Sequence, residues 1–252
     1  ALVGLAWGVE MLSATGAVAS APGNPWAVRE HALTLTGLGS FALMSLAMVL
    51  ATRPARLERF FGGMDRIYRV HKWAGILAVG FAALHWLVEL SDDLIKTLWG
   101  REGRLPKDHG GGLLEAMRDV AEELGEFAIY ALLAMLVLTL WKRLPFRIWR
   151  YVHKGMPVLY LALAFHAAFL APLDYWTQPV GVLLAGLIAA GSVASVRVLA
   201  GRIGQDRRVG GVVESVRDAG AGVTEVVCRL DEGWRGHRPG QFAFSTFESL
   251  AG

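Results

Sequence analysis

The sequence is poor in charge and almost without cysteine, and both shortages narrow the class of protein. Only 19% of its 252 residues are charged, whereas soluble globular chains carry about 25%. Hydrophobic residues make up 54%, and the mean hydropathy is +0.41. The single cysteine, Cys228, excludes an intrachain disulfide and a thiolate metal cluster, and we interpret it as a small residue buried in a strand. This composition argues against a soluble enzyme and against a nucleic-acid-binding protein.

Long apolar runs take the place of the missing charge. Six runs are long enough, or nearly so, to cross about 30 Å of hydrocarbon at about 1.5 Å per residue. They do not alternate as barrel strands do, and a segment in lipid must satisfy its own backbone hydrogen bonds, so each is predicted to be a helix. The predicted spans are residues 1–20, 31–51, 70–91, 126–141, 152–171 and 179–199. We therefore expect an all-α membrane protein built on a six-transmembrane-helix bundle.

Charge between the runs orients this bundle. Arginine and lysine cluster in three segments, whereas residues 92–125 are net acidic. Basic loops stay in the cytoplasm, so the three basic segments are predicted to be cytoplasmic and the acidic one to lie outside. The predicted cytoplasmic parts are loops 52–70 and 142–152 and residues 200–252, in a cell inner (cytoplasmic) membrane. Within the acidic segment, Leu113 to Phe127 has the spacing of an amphipathic helix on the membrane surface.

The end of the chain has a different character. Two β-branched runs, Val212–Val216 and Val223–Leu230, flank a turn-forming segment at Asp218–Gly222. They predict the first strands of an antiparallel β-barrel, too short to complete it. The predicted domains are residues 1–200, the transmembrane bundle, and residues 205–252, the start of the β domain. Because no basic segment precedes the first apolar run, we interpret the chain as a fragment of a longer protein.

Four of the seven histidines lie within the apolar runs, where a polar side chain is costly. His71 and His85 are fourteen residues apart, a rise of about 21 Å that returns to within about 40° of the same helix face. His153 and His166 are thirteen apart, a rise of about 20 Å. Two parallel helices would thus hold two histidine pairs, one near each membrane face. This spacing favours two b-type haems over zinc, which needs clustered ligands. Hydrogen-bonded packing histidines are the alternative.

The thirteen-residue spacing does not fit an ideal helix, because it turns His166 about 140° away from His153. Pro157 stands four residues after His153 and would release its carbonyl group, so a local distortion is expected there. The remaining histidines are interpreted as solvated or capping residues: His31, His109 and His237.

The histidine pairs, the predicted topology and the following β segment together resemble the ferric reductase and NADPH oxidase superfamily, in its prokaryotic type. The segment Met64–Gly75 is similar to the entry of that family's third helix. The run Arg-Pro-Gly-Gln-Phe at 238–242 is similar to a strand of its FAD-binding domain. The resemblance implies electron transfer from cytoplasmic NAD(P)H through FAD and two b-type haems to an acceptor outside, either O₂, giving superoxide, or ferric iron.

The resemblance also implies roles for single residues. His71 and His153 would hold the iron of the inner haem, and His85 and His166 that of the outer haem. Arg29 matches an arginine near the outer haem and its oxygen site in the oxidases, with a snorkelling interfacial arginine as the alternative. Two positions depart from the family pattern. Glu89 stands where several oxidases have a histidine, and Leu159, with Tyr160 adjacent, stands where the oxidases have an aromatic residue between the haems.

Glu89, with Asp92 and Asp93 nearby, would suit a hard cation such as Fe³⁺ better than O₂, or is only an interfacial acid. Arg29 and Glu89 are therefore the candidate acceptor site. The family's His-Pro-Phe-Thr flavin motif and its nicotinamide domain would follow Gln241, so FAD and NAD(P)H are expected only in the full-length protein. Gly110–Gly112 is interpreted as a flexible loop rather than a nucleotide motif.

Two other functions stay open at this stage. One is a haem-binding electron-relay membrane subunit that serves a separate reductase, although such a subunit would not need a flavin barrel. The other is a haem-free proton channel or transporter that uses the intramembrane histidines. The predicted partners are the lipid bilayer and the electron acceptor, without nucleic acid, and no protein partner is identified.

Overall fold

The computed structural model describes residues 24–102, 104, 111–141, 143, 145–205, 208–234, 236 and 245–247. The chain divides into two compact units, residues 1–204 and 205–252. In the described part of the first unit the helices are α1 Pro25–Ala51, α2 Ala55–Phe61, α3 Met64–Trp99, α4 Leu113–Leu140, α5 Phe146–His153, α6 Met156–Leu170, a 3₁₀ helix Leu173–Thr177 and α7 Pro179–Leu199. The described strands of the second unit are β1 Gly211–Gly220 and β2 Val223–Leu230.

Among the described residues, four helices are long and apolar enough to cross a membrane, namely α1, α3, α4 and α7. They cover four of the six predicted spans. The predicted span 1–20 lies outside the described residues, and the one at 152–171 corresponds to α6, whose 15 residues give a length of about 22 Å. The protein is therefore a mostly helical membrane protein, and the full set of six spans stays a prediction.

Helix ends follow from the local sequence. The Asn24 side chain accepts a hydrogen bond from the Trp26 N–H at 3.0 Å, and Pro25 occupies the first position of α1. Between α2 and α3 the backbone turns through Gly62 and Gly63 at φ values of +77° and +141°, which glycine adopts without a steric penalty. This turn lets α3 begin at Met64.

Helix α1 is central to the packing. It packs most extensively against α3 and also contacts α6 and α7, while α4 packs against α6. At the centre lies Tyr160 of α6, which is fully buried. Its hydroxyl group is 2.8 Å from the Ser45 hydroxyl and donates to the Leu187 carbonyl at 3.0 Å, and its ring stacks on Phe41 at 5.4 Å. The buried Tyr160 hydroxyl is tolerated in the core because it has hydrogen-bond partners there.

Hydrogen bonds join helix ends at both ends of this unit. Trp26 Nε1 donates to Gly100 O at 3.2 Å, which joins the start of α1 to the end of α3. At the opposite end, the Gly204 N–H donates to Thr52 O at 3.2 Å. We call the first the acidic end, where α1, α4 and α7 begin, and the second the basic end, where these three helices finish. The names follow the net charge of the connecting sequence.

Three sets of bounds differ from the prediction. The segments predicted as loops 52–70 and 142–152 are largely helical, since they contain α2, the first turns of α3, and most of α5. The surface helix predicted for Leu113 to Phe127 continues directly into the next predicted span as α4, because no proline interrupts it. The names acidic end and basic end apply to these helical connections as well.

The predicted single helix at 152–171 is two helices. α5 ends at His153, and α6 begins at Met156 with Pro157 in its first turn. Proline lacks an N–H group, and its ring clashes with the carbonyl of the residue four positions earlier, which here is His153. The break therefore falls at Lys154 and Gly155, and the ideal-helix rotation of about 140° between the two histidines no longer applies.

The second unit contains an antiparallel hairpin. The residues joining its strands, Ala221 and Gly222, have φ values of +53° and +77°, as in the tight turns that match strand twist. β2 has the predicted bounds, and β1 runs on to Gly220 through part of the predicted turn. Cys228 lies in β2 as predicted but is exposed rather than buried, as are the other residues of this strand. The run at 238–242, His109 and His237 lie outside the described residues, and the barrel stays a prediction.

Candidate functional site

Two histidine pairs occupy the two ends of the helical unit. His71 and His85 lie on α3, His153 is the last residue of α5, and His166 lies on α6. At the basic end the ring centroids of His71 and His153 are 6.2 Å apart, with their planes at 83°. At the acidic end His85 and His166 lie within electrostatic range of each other. We call these the basic-end pair and the acidic-end pair.

Three of the four rings are oriented through Nδ1 by a backbone carbonyl of a neighbouring helix. The partners are Ala47 O for His71 at 2.9 Å, Leu33 O for His85 at 3.0 Å, and Ala121 O for His166 at 2.7 Å. A carbonyl oxygen only accepts, so Nδ1 carries the proton in these rings and Nε2 keeps its lone pair. A neutral imidazole held in this way is the form that binds metals.

His153 is held differently. Its Nδ1 is buried and has no hydrogen-bond partner in the described part of the chain. The Trp149 indole, one turn earlier on α5, stacks on the His153 ring with centroids 4.8 Å apart and planes at 16°. Trp149 in turn donates from Nε1 to the Thr139 hydroxyl of α4 at 3.0 Å. The described contact of His153 is therefore an indole on the face of its ring, whereas the other three histidines have a carbonyl at Nδ1.

Glycines face both rings of the acidic-end pair. A Cβ on Gly37 of α1 would lie 3.2 Å from Cε1 and Nδ1 of His85. A Cβ on Gly125 of α4 would overlap the His166 ring. The missing side chains let the α1 and α4 backbones approach closely enough for their carbonyls to reach Nδ1. The sequence alone did not single out these glycines, because a contact between two helices leaves no periodic signal in either.

Arg29 and Glu89, the predicted acceptor residues, are in direct contact at the acidic end. Arg29 is buried, with 7% of its side chain exposed, and one of its terminal nitrogens lies 2.8 Å from the Glu89 carboxylate and 3.1 Å from the Glu89 carbonyl oxygen. Nε of Arg29 is buried without a partner among the described residues. Glu89 follows His85 by about one helical turn, so this ion pair borders the acidic-end pair.

The neighbouring acid is also paired with cations. Asp92 lies 3.2 Å from Arg104 and forms a second ion pair with Lys96. Its distance to Arg29 is 4.0 Å. Among the residues that the structure describes, no three His, Cys, Asp or Glu side chains meet as a metal-ion site. The carboxylates of this end are therefore arranged as ion pairs rather than as a ligand cluster.

Two further positions singled out in the sequence make other contacts. His31 has its Nδ1 2.6 Å from Ala27 O of its own helix, so it is held by α1 alone in this contact. Of Leu159 and Tyr160, it is Tyr160 that fills the centre of the core. Trp149 was not singled out, although an aromatic residue four positions before a helical histidine is a recognisable stacking signal.

Comparison with known families gives one match. Residues 36–164, just over half of the chain, match the model described as ferric reductase like transmembrane component. The matched region runs from α1 into α6, includes His71, His85 and His153, and ends two residues before His166. A search of curated proteins finds no match.

Proposed function

The chain belongs to the family of ferric reductase-like transmembrane components, and from this premise we propose that it carries electrons across a membrane between two b-type haems, one held by each histidine pair. Membership indicates a membrane oxidoreductase that works in transmembrane electron transfer. The observation that carries the finer proposal is the orientation of the histidines, because backbone carbonyls hold three of the four with Nε2 available. When bound, two haems would supply one-electron carriers at two depths of the membrane.

The separation of the basic-end pair fits two histidines that would together hold one iron. An imidazole nitrogen lies about 2 Å from a transition metal and its ring centre roughly 1 Å further away, so two rings on opposite sides of one iron have centres roughly 6 Å apart. The observed separation between His71 and His153 is 6.2 Å. The grouping of the histidines as pairs, rather than as clusters of three or four, also suits haem iron, for which histidine is a common protein ligand.

The chain's own contribution is ligation and spacing. His71 and His153 would hold the haem at the basic end, and His85 and His166 the one at the acidic end. Carbonyl groups at Nδ1 fix the ring tautomer and raise the basicity of Nε2. Along α3, His71 and His85 are fourteen positions apart, a rise of about 21 Å, which would set the two haems near opposite faces of the bilayer.

Electrons would enter at the basic end. We assign this end to the cytoplasm because basic connections are retained there, and the membrane to a cell inner membrane crossed six times. In the full-length protein, NAD(P)H and FAD would supply the electrons. The support for this source is the likeness of residues 238–242 to a flavin-domain strand, together with the antiparallel hairpin that precedes them.

Electrons would leave at the acidic end, beside Arg29 and Glu89. The buried Arg29 side chain is ion-paired with Glu89, but its Nε–H has no partner among the described residues and would donate to an acceptor that gains negative charge. Glu89 is paired with Arg29, and Asp92 with Lys96 and Arg104, so a ferric ion would have to compete with these cations for either carboxylate. These pairings favour O₂, which would leave as superoxide, over ferric iron coordinated by the protein.

Visible absorption tests the proposal. Protein purified with a haem supply should show a sharp Soret band and a b-type α band after reduction. His71→Leu and His85→Leu should each remove about half of the haem, since each takes one axial ligand from one pair. His31→Leu is the matched control on α1 and should retain all of it. Wild-type protein without haem would refute the function, and full haem content in both ligand variants would refute the pairing.

A further inference from the structure

Of the four histidines in the two pairs, His153 differs from the others in the contact made by its Nδ1 atom. Nδ1 of His153 is the only ring nitrogen of this set that is buried without a hydrogen-bond partner among the described residues. Its ring plane must therefore be set by packing rather than by a hydrogen bond. The ring packed against it is the Trp149 indole, nearly parallel at 16° and 4.8 Å between centroids.

The position of Trp149 is itself fixed from two sides. Its indole N–H donates to the Thr139 hydroxyl at 3.0 Å, and that hydroxyl donates to Met135 O at 2.7 Å, so the connection ends on the backbone of α4. On α5, Phe146 stacks on Trp149 with centroids 5.6 Å apart and planes at 26°. Phe146, Trp149 and His153 are spaced three and four residues apart, which places them on one face of α5.

We propose that Trp149 is a positioning residue that sets the plane of the His153 ring and thereby the redox potential of the haem at the basic end. This inference rests on the proposed function, in which His153 is an axial ligand. The indole is hydrogen-bonded to α4 and holds the His153 ring by stacking, much as the Ala47 carbonyl of α1 holds the His71 ring by a hydrogen bond. The 83° angle between the two histidine planes is the result.

The absence of a hydrogen-bond acceptor at Nδ1 of His153, among the described residues, also bears on the redox potential. A hydrogen-bond acceptor at Nδ1 makes an imidazole a stronger donor to its metal and stabilises the oxidised iron. Trp149 covers the ring, and no acceptor reaches this nitrogen in the described structure. Removal of the indole would free the ring to rotate and admit water as an acceptor. The expected result is a lower midpoint potential for this haem alone.

The test is a redox titration of the haem-loaded protein followed by visible absorption, together with the low-spin EPR spectrum of the oxidised form. Trp149→Leu should lower one of the two midpoint potentials and shift one of the two EPR signals, leaving the other of each unchanged. Trp149→Phe keeps an aromatic stack and should remain close to wild type. Thr139→Val removes the anchor of the indole and should shift the same signal by less. Trp141→Leu, at an exposed tryptophan of the same end, is the control.

The outcomes separate this inference from the function on which it rests. Wild-type protein without haem would refute the proposed function. Two haems with unchanged potentials and EPR signals in Trp149→Leu would refute the positioning role and leave the function intact. Equal shifts of both haems would also refute the role, because they would report a general loosening of the bundle. If Trp149→Leu does not retain the haem, Thr139→Val tests the positioning role instead, since it keeps both the Trp149 and the His153 side chains and removes the hydrogen bond that anchors the indole.

Discussion

The two ends of the helical unit hold their histidines by different means, although α3 supplies one residue to each pair. At the acidic end, both rings lie within helices, and each has a backbone carbonyl at Nδ1 and a glycine facing it. At the basic end, His71 has a carbonyl, but His153 ends a short helix and has a stacked indole instead. Backbone groups cannot be removed by substitution, whereas an indole can. The acidic end should therefore be sensitive to added volume and the basic end to lost aromatic contact.

The largest expected effect is at the acidic end, from a single added methyl group. Gly125→Ala would place a Cβ inside the space of the His166 ring. The ring must then leave the Ala121 carbonyl, because both the carbonyl and the new methyl group belong to α4. About half of the haem should be lost, with the haem of the basic-end pair retained. The measurement is the haem-to-protein ratio with the reduced absorption spectrum.

Two other glycines calibrate that result. Gly80→Ala on α3 has no neighbour within 4 Å of the added Cβ and should leave the haem content unchanged. Gly37→Ala meets His85 at 3.2 Å and should weaken haem retention less than Gly125→Ala. Full haem content in Gly125→Ala would show that the contact with α4 does not fix His166, and the contrast between the two ends would fail.

The next effect concerns the acceptor, which only the acidic end should affect. Arg29→Met removes a buried positive charge beside Glu89 and should slow reoxidation of the reduced haems by about tenfold or more, because charge developing on the acceptor loses its stabilisation. Stopped-flow absorption with O₂ and with chelated Fe³⁺ measures this rate. Arg56→Met, at an exposed arginine of the basic end, is the matched control.

The acceptor itself is read from the same experiment. If O₂ is the acceptor, its rate in the wild type exceeds that of the ferric chelate, and the loss in Arg29→Met is seen with O₂. A faster rate with the chelate would contradict the reading of the Arg29–Glu89 ion pair as a site for a neutral acceptor. Equal rates in Arg29→Met and wild type would remove Arg29 from the site.

A smaller effect should be shared by both ends. Tyr160→Phe removes a buried hydroxyl that pairs with Ser45 and with the Leu187 carbonyl in the middle of the bundle. Loss of these hydrogen bonds should reduce the free energy of unfolding by about 1–2 kcal/mol. The melting temperature should fall while both haems keep their spectra. A loss confined to one haem would indicate that Tyr160 acts on one pair and not on the core.

Much of the site can be read from the sequence because iron ligands in membrane helices are rare polar residues at a measurable spacing. The histidines on α3 are found in this way. The break before α6 also has a sequence signal, since Pro157 stands four residues after His153 and cannot continue its helix. The sequence predicts a local distortion at Pro157 within a single helix over 152–171, whereas the structure has a complete break between α5 and α6 at Lys154 and Gly155.

What the sequence does not reveal is which groups on other helices complete the site. Gly125 is forty-one residues from His166, and Arg29 is sixty residues from Glu89. Such contacts depend on the crossing and rotation of helices, which a hydrophobic pattern in lipid constrains weakly because several faces are apolar. The ion pairs of the acidic end are the main consequence, since they change Glu89 from a candidate iron ligand into the partner of Arg29.

The smallest expected effect comes from removing one of two hydrogen-bond acceptors beside His85 at the acidic end. His85 Nδ1 lies 3.0 Å from Leu33 O and 3.3 Å from the Thr36 hydroxyl. Thr36→Val removes this second acceptor together with the hydroxyl's own hydrogen bonds to Ala32 O and Leu33 O. The Leu33 carbonyl remains, so the ring should stay in place and bind haem as before. The loss of about 0.5 kcal/mol should raise the midpoint potential of this haem by on the order of 20 mV, because a weaker acceptor at Nδ1 makes a poorer donor to iron. Thr36→Ser keeps the hydroxyl and should match the wild type. A shift at the basic-end haem instead would place His85 in the other pair, and a loss of haem would mean that the Leu33 carbonyl alone does not hold the ring.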